Sequence, residues 1–291
     1  MKPAAFDYVR PDSLDEAVSI LGRHGGEAKI LAGGQSLVPL LNFRMLRPAI
    51  LVDINRVAEL AYLREDGAGL RIGALTRHHT LETSPRVRER FPVLADAMAH
   101  VAHLAVRNRG TIGGSLSHAD PAAELPMMAM LLDAEIHTRS ASGTRTHAAR
   151  DFFLGPLTSA LEEDEIVTEV ALPGLAEGTG WAFEEFAQRK GDFAIAAVAV
   201  TIMREGDRIA EVRLALMGVD ETPVRLRDVE AELAGETWSD DLVAAAAERA
   251  RHAVQPNSDL KASADYRRHL VAAITRRVLA TAWQRSQGAA P

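Results

Sequence analysis

Two glycine pairs, Gly33-Gly34 and Gly113-Gly114, are the residues of this sequence best suited to hold an anion. The first lies in Lys29-Ile30-Leu31-Ala32-Gly33-Gly34-Gln35-Ser36-Leu37-Val38-Pro39. The second lies in Arg109-Gly110-Thr111-Ile112-Gly113-Gly114-Ser115-Leu116-Ser117-His118-Ala119-Asp120-Pro121. Glycine reaches positive φ without penalty and lets main-chain N–H groups approach a ligand closely. At the mouth of a helix those groups also sit where the macrodipole favours negative charge. A single pair is more often a turn or a helix stop. Two such pairs, each at an element boundary and followed by polar side chains, imply a ligand with two phosphates. Neither fits G-x-x-x-x-G-K-[ST] or G-x-G-x-x-G, so an NTPase or a Rossmann dehydrogenase is not indicated.

Other groups carry weaker signals. His100, His103 and His118, or His78, His79 and Glu82, have side chains that bind metals, but neither set matches H-E-x-x-H, and no metal ligand is assigned. No G-x-S-x-G elbow occurs, so acyl hydrolysis is not indicated, and no catalytic side chain is named. Asp120 either accepts hydrogen bonds from sugar hydroxyls or caps a following helix with Pro121 at its first position. Arg189-Lys190-Gly191-Asp192-Phe193 offers cations beside an aromatic ring. It suits an anionic, planar cofactor, or is a charged turn with one buried Phe.

The elements that must position these groups change in texture along the chain. Ser13-x-x-Glu16 is a capping box ahead of an apolar stripe at Leu14, Ala17, Val18 and Leu21. Strands at 6–9, 28–32 and 50–54, with helices from Ser13 and over 36–45, make a small βαβ unit with a parallel sheet. A larger α/β unit follows. Its strands are expected at 59–64, 69–75, 134–139, 144–148 and 166–172, and its helices at 78–83, 93–103 and 122–132. The glycines and proline of 173–180 mark a boundary. Beyond it, strands at 181–188, 194–204 and 208–219 precede helices at 226–233, 241–254 and 266–283, an α+β module. The expected domains are 1–175, with subdomains 1–55 and 56–175, and 178–285. The tail 286–291 is expected to fray.

Bulk properties narrow the class. The 291 residues carry 33 Lys+Arg against 40 Asp+Glu, a net charge of −7, which argues against nucleic acid as a partner. With no cysteine, the chain cannot form disulfides or ligate a cluster through its own thiolates. The first residues lack the apolar core of a signal peptide, and the longest apolar run, 194–203, is too short for a membrane span. A cytoplasmic location is expected.

Taken together, Ala32-Gly33-Gly34-Gln35-Ser36-Leu37-x-Pro39, Thr111-Ile112-Gly113-Gly114-Ser115 with Asp120-Pro121, and Arg189-Lys190-Gly191-Asp192 resemble the FAD-binding medium subunits of the molybdenum hydroxylases. That group includes carbon monoxide, xanthine and nicotine dehydrogenases, and the resemblance runs over essentially the whole chain. It implies non-covalent FAD here, and molybdopterin and [2Fe–2S] clusters on large and small partner subunits, in a dimer of heterotrimers. Electrons would pass from the clusters through FAD to an external acceptor. It implies that Lys29, Ile30, Leu31, Ala32, Gly33, Gly34, Gln35, Ser36 and Leu37 wrap the diphosphate. Gly110, Thr111, Ile112, Gly113, Gly114 and Ser115 would form a second wall, with Ser115 where many relatives have Asn. Val101, His118, Asp120 and Glu124 would lie near the cofactor, and Ile166 and Val167 on its adenine or ribitol side. Lys190 and Asp192 would lie near the flavin ring. Phe193 replaces a ring-covering Tyr and lacks its hydroxyl. The competing readings are a self-sufficient flavin oxidase of the same FAD-binding superfold and a non-enzymatic module for an ADP-like ligand.

Overall fold

The computed structural model describes residues 1–288. Its first layer follows directly from the alternating periodicities. Ser13 Oγ accepts the Glu16 N–H at 3.2 Å and starts α1 (Leu14–His24), whose Leu14, Ala17, Val18 and Leu21 are buried. Strands β1 (Asp7–Val9), β2 (Ala28–Leu31) and β3 (Ile50–Asp53), with α2 (Leu37–Asn42) between the last two, form a three-stranded sheet ordered β1-β3-β2. Both of its strand pairings are parallel.

The larger unit begins with β4 (Leu63–Asp66) and β5 (Gly69–Gly73). Helices α3 (His78–Thr83), α4 (Pro85–Arg90), α5 (Pro92–His100), α6 (Leu104–Arg107), α7 (Ile112–His118) and α8 (Glu124–Leu131) follow. Then come β6 (Glu135–Ser140), β7 (Gly143–Ala148), α9 (Ala149–Phe152), the small ribbon β8 (Phe153–Gly155) and β9 (Thr158–Ser159), and β10 (Ile166–Leu172). The five-stranded sheet runs β4-β5-β10-β6-β7 and is antiparallel throughout.

Several expected elements shift, among them α2, which ends at Asn42 and not at residue 45. Residues 58–60 form a 3₁₀ turn, so the strand expected at 59–64 starts at Leu63. The helix expected to reach His103 ends at His100, because Val101 leaves helical geometry and Ala102 takes φ 40°. The helix expected from Ala122 starts at Glu124.

The C-terminal module is β11 (Gly180–Phe186), β12 (Ala196–Glu205), β13 (Arg208–Met217) and β14 (Val224–Arg225), then α10 (Arg227–Leu233), α11 (Asp240–Ala253) and α12 (Ala264–Ser286). Of the tail expected to fray, Ser286 closes α12, and 289–291 lie outside the described residues. The four-stranded sheet is antiparallel, and its inner strand β12 is buried on both faces over 196–202. Ala196, Val198, Val200 and Ile202 of β12 face a core closed by α11 and α12. Ala197 and Ala199 face the core of the larger unit, which includes α5 and α8. Burial on both sides explains why this strand is apolar without alternation, and alanine lets the helices approach closely.

Two-domain organisation, mixed α/β followed by an antiparallel sheet with helices, is therefore the observed one. The domains meet over polar contacts too. Gly218 N–H donates to Pro121 O at 2.9 Å, and Arg225 bridges Asp133 at 2.6 Å and Glu230 at 2.8 Å. Among the described residues no helix is long and apolar enough to cross a membrane.

Candidate functional site

The first glycine turn leaves β2 at Leu31 and enters α2 at Leu37. Gly34 takes φ 74°, where a side chain would be strained, and Ser36 sits at the helix mouth without making a capping bond. Among the described residues, the main-chain N–H groups of Gly33, Gly34, Gln35 and Ser36 find no acceptor. Unpaired main-chain donors gathered in one turn form an anion-binding concavity. The Gln35 side chain does not join them, since its Nε2 folds back onto Gly33 O at 2.9 Å. Lys29 and Gln35 are exposed, and Ile30, Leu31, Ala32, Ser36 and Leu37 are half-buried.

The backbone leading into the second glycine pair, Arg109-Gly110, lies against the first pair, and this segment has a different job. A Cβ on Gly33 would stand 2.4 Å from Arg109 O and 2.9 Å from Gly110 Cα, so the two segments are in backbone contact. Yet most of the N–H groups here are already used, that of Thr111 being without an acceptor among the described residues. Gly110 donates to Val106 O, Ile112 to Thr76 O, Gly113 to Ala74 O and Ser115 to Thr111 O. Thr111 Oγ1 accepts the Gly114 N–H at 3.2 Å, and Thr111 is buried. Much of this segment therefore braces the first turn, and the Thr111 hydroxyl oxygen accepts the cap bond of α7. Its glycines serve close packing. A Cβ on Gly113 would meet Ala74 Cβ at 2.6 Å, and one on Gly110 would meet His78 at 2.7 Å. Within 110–115 only Gly114 and Ser115 are partly open.

Polar groups that sequence reasoning missed join the two turns. Asn55 Nδ2 donates to Ala32 O at 2.7 Å, and Arg77 donates to Asn55 Oδ1 at 2.8 Å and to Arg109 O. Asp53 anchors Asn55, accepting from its main-chain N–H at 2.9 Å and from Tyr8 O–H at 2.5 Å. Burial would raise the Asp53 carboxyl, but the Tyr8 and Asn55 hydrogen bonds hold it below the usual range. Nothing in the local sequence marks Asn55 or Arg77, because their partners lie 22 to 32 residues away.

A second group of expected residues meets at the domain junction. Gly191, with φ 86°, packs on the turn after α5, and a Cβ there would lie 2.8 Å from Ala102 O. Val101 thus neighbours the turn carrying Lys190, Asp192 and Phe193, all exposed. Phe193 is 54% exposed, so it is not the buried residue of a plain charged turn. Half-buried His118 ends α7. Asp120 accepts the Ala122 N–H at 2.9 Å and does not cap α8, which starts later, at Glu124. Burial, then the nearby Glu185 charge, pushes the Glu124 carboxyl up to about 8. Glu185, also missed in the sequence, is pushed up to about 7 by burial, and its Oε2 has no partner among the described residues.

Ile166 and Val167 are buried in separate cores, Ile166 in the cluster that Ala32 packs against and Val167 in the one that holds Ile112. Both are almost fully buried. His78 is buried with Nε2 on Thr111 O at 3.1 Å, and burial drives it down to about 4, so it is a neutral packing residue.

Known proteins share this architecture. A family model described as "FAD binding domain in molybdopterin dehydrogenase" matches residues 4–175, and one described as "CO dehydrogenase flavoprotein C-terminal domain" matches 181–282. The 6-hydroxypseudooxynicotine dehydrogenase complex subunit alpha of Paenarthrobacter nicotinovorans is 43% identical, over 99% of this chain and 97% of its own. The structure of carbon monoxide dehydrogenase from Hydrogenophaga pseudoflava superimposes with a TM-score of 0.96 at 40% identity, covering 98% of this chain and 99% of that one. Quinoline 2-oxidoreductase from Pseudomonas putida 86 gives 0.93 at 40%, covering 99% of each chain.

Proposed function

We propose, from the premise that this chain belongs to the family of FAD-binding subunits of heteromeric molybdenum hydroxylases, that it is the electron-transfer component of such an enzyme. FAD is held non-covalently. A small subunit with [2Fe–2S] clusters donates the electrons, and a large molybdopterin subunit oxidises the substrate. Two such heterotrimers pair, in the cytoplasm. With no cysteine, this chain offers no thiolate to hold those clusters or to tether the flavin.

The observation that carries this reading is the turn at Gly33-Gly34, with unpaired N–H donors braced by Arg109 and Gly110. Its residues fit a diphosphate: donors without acceptors, a positive φ at Gly34, and a Gly33 contact that no Cβ could share. In this reading Gly33, Gly34, Gln35 and Ser36 hold the diphosphate through main-chain N–H groups, and the Ser36 and Ser115 hydroxyls add donors. Asp120 faces the sugar. Lys190, Asp192 and Phe193 border the ring, where Phe193 offers a stacking surface and no hydroxyl. Bound FAD supplies a relay between one-electron and two-electron carriers. The chain's own residues orient that relay and exclude the side reactions of an open flavin.

The test is direct. Purified chain should be yellow, release FAD on denaturation, and rebind it after stripping, and mass spectrometry should find the two partner subunits in its native complex. Stripped protein that binds neither FAD nor ADP refutes the assignment.

A further inference from the structure

We propose that Arg77, acting through Asn55, is a positioning residue of the diphosphate site, latching the donor turn to its buttress and placing beside both a positive charge that forms no ion pair among the described residues. The proposal rests on the diphosphate reading above and deepens it. One guanidinium nitrogen of Arg77 donates to Arg109 O, the carbonyl against which Gly33 packs. The other donates to Asn55 Oδ1 at 2.8 Å, and Asn55 Nδ2 donates to Ala32 O at 2.7 Å and to Leu31 O at 3.4 Å. The carbonyls on either side of the gap between turns are thus tied through one planar fork. The Arg77 main chain joins the same structure, forming a β-bridge with Thr111.

The charge argues for an anion. Among the described residues no carboxylate forms an ion pair with Arg77 or with neighbouring Arg109. Arg77 is half-buried, and burial and the Arg109 charge both push it below the usual arginine range, while Asp53 acts the other way. A half-buried cation beside a second cation is costly, and an anionic ligand would offset that cost. Lysine could supply the charge but not the two diverging donors.

The experiment measures FAD and ADP affinity of the stripped full-length chain at low and high salt, with melting temperature in the absence of ligand. Arg77→Gln should weaken both ligands about tenfold or more and flatten the salt dependence, since a charge that attracts the anion is screened by salt. Arg77→Lys should keep the salt dependence and recover only part of the affinity. Asn55→Asp, which neutralises Arg77 and turns an acceptor toward Ala32 O, should behave like Arg77→Gln. Wild-type affinities in these variants, or equal losses in Arg77→Lys and Arg77→Gln with unchanged salt dependence, overturn the proposal. Should Arg77→Gln fail to fold, the Arg77→Lys and Asn55→Asp results decide in the same way. These outcomes require a wild-type chain that binds FAD; one that binds neither nucleotide overturns the functional reading itself.

Discussion

Replacing Gly33 by alanine should separate the two turns and weaken FAD binding. The new methyl would lie 2.4 Å from Arg109 O, 2.9 Å from Gly110 Cα and 3.0 Å from Arg109 C. Ordinary contact begins at 3.4 Å, so one backbone must retreat by about 1 Å from the other. All three neighbours are main-chain atoms, and no rotamer change relieves them. Overpacking of this kind costs about 1–3 kcal/mol, and a backbone clash belongs at the upper end. If the chain yields by parting the turns, about 3 kcal/mol appears as roughly 100-fold weaker FAD binding. Gly34→Ala is the control. Its Cβ would meet only the side chains of Leu31 and Val38 at 3.2 Å, so its penalty is the φ of 74°, about 1–2 kcal/mol. Titrating stripped protein with FAD by fluorescence quenching, alongside thermal melts without ligand, measures both. Gly33→Ala with wild-type affinity and an unchanged melt would show that the turns do not meet as described, and the reasoning fails.

Further expectations test the domain junction. Glu124 and Glu185 have folded pKa values of about 8 and 7, above the 4.5 of a free side chain, so the folded chain holds extra protons and stability falls as pH rises toward 8. Buried His78, lowered to about 4, gives the opposite slope only below 6.5. Urea midpoints between pH 6.5 and 8 should therefore decline, and less steeply in Glu185→Gln; a rising midpoint contradicts the buried-carboxyl account. Arg225→Met should cost about 3 kcal/mol in chemical denaturation, because Glu230, 8% exposed, loses its buried partner. An unaltered midpoint would mean that the pair contributes nothing. Gly191→Ala combines φ 86° with a contact of 2.8 Å to Ala102 O. It should perturb the absorption spectrum of bound FAD more than the melting temperature, and an unchanged spectrum would separate this turn from the flavin ring.

Much of the scaffold is legible in the sequence, because its signals are local. Ser13 with Glu16, the stripe from Leu14 to Leu21, and the strand 166–172 specify their own elements through capping and periodicity. The first glycine pair likewise declares a turn, although the second proves to lie in the opening of α7, and the resemblance of both to a family pattern points to the ligand class. What the sequence could not disclose is which pair still has donors to offer. Gly33-Gly34 and Gly113-Gly114 look alike in the chain, but Ala74 O and the Thr111 hydroxyl oxygen accept the N–H groups of the second. Main-chain hydrogen bonding has no residue code, so only folding decides whether a donor is spent or free. The same holds for Asn55, Arg77 and Glu185. Each is an ordinary polar residue in its own segment, and each acquires its role from groups that the tertiary structure brings to it, where burial makes an unpaired charge or donor matter.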